Sequence, residues 1–105
     1  MANPWRGDVA LVINDETHVM RLTLGALAGL EDSLGAGSLL ELVQRFESNS
    51  FSSRDVLDLL GAGLEGGQCG VTAEDLLHAD IGGGPMAAAR AAAELLARAF
   101  VVPDA

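Results

Sequence analysis

Lysine and tyrosine are missing altogether from this 105-residue chain, and cysteine occurs once, as Cys69. A single cysteine excludes an intramolecular disulfide framework and suits a reducing compartment. Without lysine the run Gly82 to Pro85 fails as a phosphate loop, which needs a lysine for the phosphate and a strand before it. That run reads instead as a connector between helices. Aromatic residues are confined to Trp5, Phe46, Phe51 and Phe100, which favours helices over an all-β sandwich. Positive charge is scarce too: six arginines stand against 15 carboxylates, for a formal net charge of −9. This balance opposes binding to nucleic acid phosphates or to a membrane of anionic lipid, and it suits a partner with a basic surface. The carboxylates are spread along the chain without the duplex-like run of a DNA mimic, so a solvated surface is expected. The most apolar tract, Pro85 to Val102, is broken by Arg90, Glu94 and Arg98 and cannot span a membrane. The opening MANPWRGD lacks the charged-then-apolar order of a signal peptide. The expectation is a soluble cytoplasmic protein.

Half of the residues are apolar, with leucine and alanine dominant. A chain of this length is one domain, 1–105, able to bury roughly 65% of its unfolded surface in a single modest core. Residues 1–6 are expected as a flexible tail, 7–22 as a β-hairpin and 23–101 as a helical region. The fold class is therefore α+β, a hairpin followed by four or five packed helices.

The hairpin rests on alternation. Val9, Leu11 and Ile13 share one face of a strand over Asp8 to Ile13, and Ala10 and Val12 the other. Asn14-Asp15-Glu16 supplies turn chemistry, because Asn and Asp tolerate left-handed dihedrals. Thr17 to Leu22 returns as the second strand. Two strands alone are marginal in water, so helices must cover them.

Thr23 is the expected N-cap of a first helix carrying Leu24, Leu27, Leu30 and Leu34, which Gly35 ends. Ser38 and Glu41 form a capping box for a second helix, to about Glu47, that presents Leu39, Leu42, Val43 and Phe46. Phe51 is placed to act as a hydrophobic staple before the next cap. A third helix, from about Arg54 to Leu64, presents Val56, Leu57, Leu60 and Leu64, and its Gly61 and Gly63 imply close packing or early fraying. Glu65-Gly66-Gly67-Gln68-Cys69-Gly70 is expected to be the most flexible internal segment. Thr72, with Asp75 three residues on, starts a short helix holding Leu76 and Leu77. Pro85 suits the first position of the last helix. There Arg90, Glu94 and Arg98 are spaced for two ion pairs, and the Ala-rich faces allow close approach within the fold or between copies. The expected core is Val9, Leu11, Ile13, Met20, Leu22, Leu27, Leu30, Leu34, Leu42, Phe46, Leu57, Leu60, Leu96 and Phe100.

No catalytic or cofactor site is expected. His78 lies near Glu74, Asp75 and Asp80, but zinc needs three or four convergent ligands, and helical spacing brings neither His18 nor Cys69 to it. A solvent-facing or capping histidine is the expectation. Cys69 with His78 lacks an orienting acid for nucleophilic work and reads as a small loop residue. Asp32-Ser33-Leu34 matches the tripeptide that carries phosphopantetheine in acyl carrier proteins, where it begins a helix. Here Ser33 closes one, so a carrier modified at Ser33 is an alternative of another class. The expected sites are partner contacts, at Trp5, Phe51 and Phe100.

Three ordered segments carry a resemblance: NPWRGDVALVINDETHVMRLTLGALAGLEDSLG, then LVQRFESNSFSSRDVLDLLGAGLEGG, then GGGPMAAARAAAELLARAF. Together they resemble the gene transfer agent family of small tail proteins, which is similar to phage tail assembly chaperones. The all-Arg, Ala- and Gly-rich composition agrees with the GC-rich alphaproteobacterial genomes in which that family occurs. The resemblance implies a non-enzymatic protein of the bacterial cytoplasm that assists assembly of a phage-like tail. The partners it implies are the tape measure protein, the tail tube protein, or both. It leaves open a structural place in the tail tube itself.

Overall fold

The computed structural model describes residues 7–34 and 38–99. Asn14 and Asp15 adopt φ of 51° and 67°, the left-handed pair that a two-residue hairpin turn demands. They join β1 (Val9–Ile13) to β2 (Glu16–Met20), antiparallel in a register from Ile13↔Glu16 to Val9↔Met20. The alternation holds along β1: Val9, Leu11 and Ile13 are buried, while Ala10 and Val12 face outward. The second strand stops two residues short of the expected Leu22. Arg21 leaves the ladder because its N–H donates to Gly63 O at 2.9 Å, so a helix carboxyl end takes over as its partner.

Five helices follow: α1 (Leu24–Leu34), α2 (Ser38–Glu47), α3 (Ser53–Gly66), α4 (Ala73–Leu76) and α5 (Gly84–Ala99). The Thr23 hydroxyl accepts from Ala26 N at 3.1 Å, which caps α1 as expected. Ser52 with Asp55, and Thr72 with Asp75, form complete capping boxes at α3 and α4. Helix α3 is the axis of the molecule, packed against α1, α4, α5 and β2. Burial on more than one side explains why Leu59 and Leu64 are both fully inaccessible, although only Leu64 lies on the face anticipated from periodicity.

Of the expected core, Val9, Leu11, Ile13, Met20, Leu30, Leu42, Leu60 and Leu96 are buried, and Leu22, Phe46 and Leu57 pack half-buried against them. Leu27 is only half-buried and Leu24 is 86% exposed. The residues α1 buries are Leu30 of the stripe and Ala26, while exposed Gly29 and Ser33 line the groove beside α3. Trp5, Phe100, Gly35 and the side chains of Leu34 and Ser38 lie outside the described residues. Leu76, Leu95 and the alanines Ala88, Ala91 and Ala92 complete the core.

The Glu65–Gly70 stretch is not the loose segment its glycines suggest. Glu65 and Gly66 form the last turn of α3. A Cβ on Gly66 would stand 1.9 Å from Arg21 O, and one on Gly67 would stand 2.2 Å from Val19 O. Glycine is here because the helix end lies flush on β2. Gly61 and Gly63 are close-packing positions too, against Ala73 and Leu95.

Both edges of the hairpin are engaged. On β1, Val12 O accepts from Gly82 N at 2.9 Å and Asn14 N donates to Asp80 O at 2.8 Å, around a bridge between Ile13 and Ile81. On the other side, Arg21 just past β2 donates to Gly63 O, and the Cys69 thiol donates to Val19 O of β2 at 3.2 Å.

Candidate functional site

Two ion pairs tie the elements together across the fold. Asp8 is fully buried, and Arg21 Nε donates to its Oδ1 at 2.7 Å. Arg98 of α5 donates to the Asp8 carbonyl oxygen and also reaches Glu94 at 3.4 Å. Of the two pairs expected along α5, only this second one forms among the described residues. Arg45 of α2 grips Asp55 with both arms of its guanidinium, each at 2.9 Å, while Asp55 Oδ2 also accepts from Ser52 N at 3.0 Å.

Burial alone would raise the Asp55 carboxyl. The Arg45 and Ser52 hydrogen bonds outweigh it and hold the group below its ordinary value of 3.8. A depressed folded pKa contributes stability that is present above the unfolded value and is lost as pH falls through the folded one. Asp58, raised chiefly by burial, acts in the opposite sense, since its ionised form is disfavoured in the fold. Melting temperature against pH should therefore fall less steeply below about pH 4 in Asp55→Asn than in the parent chain. Ser52→Ala should cost about 1 kcal/mol through loss of the cap, measured by urea unfolding at neutral pH.

Next to Arg45 in the chain, Phe46 belongs to an aromatic pair. Phe46 and Phe51 stack with ring centroids 4.5 Å apart and planes 5° from parallel. Phe51 precedes the Ser52 cap and shares a groove of about 360 Å³ with Val56, Leu57, Met86 and Ala89. Phe46 lines a second groove of about 270 Å³ with Val43, Ala93 and Ala97. The stacked pair thus joins two apolar hollows into one face along the outer side of α5, where Met86 is 73% exposed. Of the three expected contact residues, the fold places Phe51 on this face; Trp5 and Phe100 lie outside the described residues.

A third groove, of about 480 Å³, runs between α1 and α3 and is closed at one end by residues 68–73. Val71 and Ala73 give it half-buried apolar lining above the buried Ala26, Leu30, Ala62 and Leu64, and Asp58 and Glu65 stand in its lining. Ser33 also lines it, exposed in the last turn of α1 and not at a helix start.

Sequence spacing gave no reason for the two histidines to meet. The fold brings His18 and His78 to one shallow cleft with Glu16 and Asp75, β2 supplying the first and the residues just after α4 the second. Among the described residues no three His, Cys, Asp or Glu side chains are grouped closely enough to hold a metal ion. Cys69 lies apart from that cleft, half-buried on β2, and burial pushes its thiol up. Such a thiol stays protonated near neutrality and is a poor nucleophile. No described helix is long and apolar enough to cross a membrane.

A family model described as "Phage tail tube protein, GTA-gp10" matches residues 6–101. No curated protein and no solved structure matches the chain.

Proposed function

The chain belongs to the GTA-gp10 phage tail tube protein family, and from that premise we propose that it acts without catalysis as a tail-assembly protein. Membership sets a tail-related structural role. Within that role the chain serves as a chaperone in the bacterial cytoplasm, holding the tape measure protein and the tail tube protein while the tube grows. The observation that carries this reading is the apolar face along α5, where the Phe46–Phe51 stack bridges two grooves. Grooves of this kind receive the apolar side of a partner helix. The net charge of −9 keeps copies that display such a face from aggregating. Trp5 and Phe100 are proposed as further contacts with the same partners.

The family's identity as a tail tube protein family favours a second reading, in which the chain is itself a component of the tail tube and travels into the particle. One experiment separates the two. The chain is co-expressed with the tape measure and tail tube proteins of its own gene cluster, and both the retained partner and the finished particles are analysed. Retention of the tape measure with absence from particles supports the chaperone; stoichiometric presence in particles supports the tube component. Retention of neither, with none in particles, ends both. Phe51→Ala removes a half-buried ring and so loses its burial as well as about 1 kcal/mol of stacking; circular dichroism should show the fold retained. The substitution should lower partner retention at least about tenfold, and Trp5→Ala and Phe100→Ala should act in the same direction.

A further inference from the structure

We infer that the groove between α1 and α3 is a docking site for a basic amphipathic helix of a partner protein. The inference rests on the tail-assembly reading only for where that partner is to be sought. The groove's floor is apolar and its volume is about 480 Å³. Its α1 wall presents Ala26 and Gly29, and nothing stands within 4 Å of a Cβ built on Gly29, so a second helix can approach closely.

Charge selects the occupant. The lining includes Asp58 and Glu65, one helical turn-pair apart on α3, and no basic residue. Exposed Glu31 and Asp32 precede the lining residue Ser33, and exposed Glu74 and Asp75 follow the lining residue Ala73. Arg54 reaches Asp58 at 3.5 Å, but its side chain is 80% exposed, so water screens that pair. Glu65 has no ion-pair partner among the described residues. An apolar trough with carboxylates at both flanks attracts lysine or arginine on the sides of a helix whose middle is leucine-rich, and it repels an acidic helix of the same shape. The face along α5 lacks this signature, with Glu47 the one carboxylate in its lining.

The test uses a fluorescein-labelled Leu/Lys amphipathic peptide of about 18 residues, roughly 27 Å of helix, and a matched Leu/Glu peptide. Binding to the full chain is read by fluorescence anisotropy at about 50 mM and about 300 mM salt. The Leu/Lys peptide should bind at least about tenfold more tightly than the Leu/Glu peptide, and the difference should shrink at the higher salt. A negatively charged protein attracts any cation, so the deciding variant is Gly29→Leu. It places a side chain in open groove space, and it replaces glycine by a better helix former, so it should not unfold the protein. It should weaken the Leu/Lys peptide at least about tenfold with an unchanged or higher melting temperature. The double variant Asp58→Asn, Glu65→Gln should weaken it several-fold and flatten its salt dependence. Equal affinity of Gly29→Leu and the parent chain would overturn the assignment. So would a parent chain that sediments as a dimer and becomes monomeric on Gly29→Leu, which would give the groove to a second copy. Failure here leaves the tail-assembly reading standing, because that reading is decided by what the chain retains and not by this groove.

Discussion

Gly66→Ala is expected to destabilise the protein by about 3 kcal/mol and to lower its melting temperature by roughly 15 °C. The added methyl would lie 1.9 Å from Arg21 O. Neither party can yield cheaply, since one is a backbone oxygen and the other a methyl fixed rigidly to the helix backbone. Moving the carbonyl drags the Arg21 N–H off Gly63 O, and moving the helix end opens the seam between α3 and β2, where Met20 and Leu64 are fully buried. The same exchange at Gly29 has the opposite sign. That position is helical with open space beyond it, so Gly29→Ala should add a little under 1 kcal/mol. Thermal unfolding of the two variants side by side checks the pair of signs. A Gly66→Ala protein as stable as its parent would mean that α3 does not end against β2.

Asp8→Asn should cost about 3 kcal/mol, the second large effect. The carboxylate is fully buried and neutralises Arg21 at 2.7 Å, while Arg98 holds the same residue through its carbonyl oxygen. Removing the charge leaves the guanidinium of Arg21 half-buried without its counter-charge; its 33% exposure lets water recover part of the loss, which keeps the value at the low end of the range for broken buried pairs. Double-mutant analysis with Arg21→Met separates the pair from its surroundings. A double variant more stable than Asp8→Asn alone would show that the stranded cation carries the cost. Urea unfolding at neutral pH gives the numbers.

These two sites mark where sequence reading stopped. The hairpin was legible because its cause is local: Asn14-Asp15 between alternating apolar residues says turn wherever it is placed. The Thr72–Asp75 cap was legible for the same reason, both partners lying within one turn. Asp8 with Arg21 is separated by 13 residues and Arg45 with Asp55 by 10, and nothing in the intervening chain announces that either pair will close. Gly66 and Gly67 misled in a more instructive way. A glycine marks either freedom or want of room for a Cβ, and the two are identical in sequence; only the carbonyls of β2 decide between them. Leu24 and Leu27 misled because periodicity does not fix which edge of the stripe faces the core, and α1 buries Leu30 with Ala26 beside it. The candidate site fared similarly. Phe51 was found from its place before a cap, but its stacking on Phe46 joins two helices. The meeting of His18 with His78, and the acidic flanks of the α1–α3 groove, exist only once distant segments are folded together.

The bridge from Ile13 to Ile81 sets a timetable. Asp80, which pairs with Asn14, lies 66 residues further along the chain, and α3, which covers the other strand, begins at Ser53. At bacterial synthesis rates of roughly 5–20 residues per second, the strand VALVI spends on the order of 3–13 seconds outside the ribosome before its outer edge can be covered. The most β-prone stretch of the protein thus waits, with its outer edge open, until the residues around Ile81 have been made.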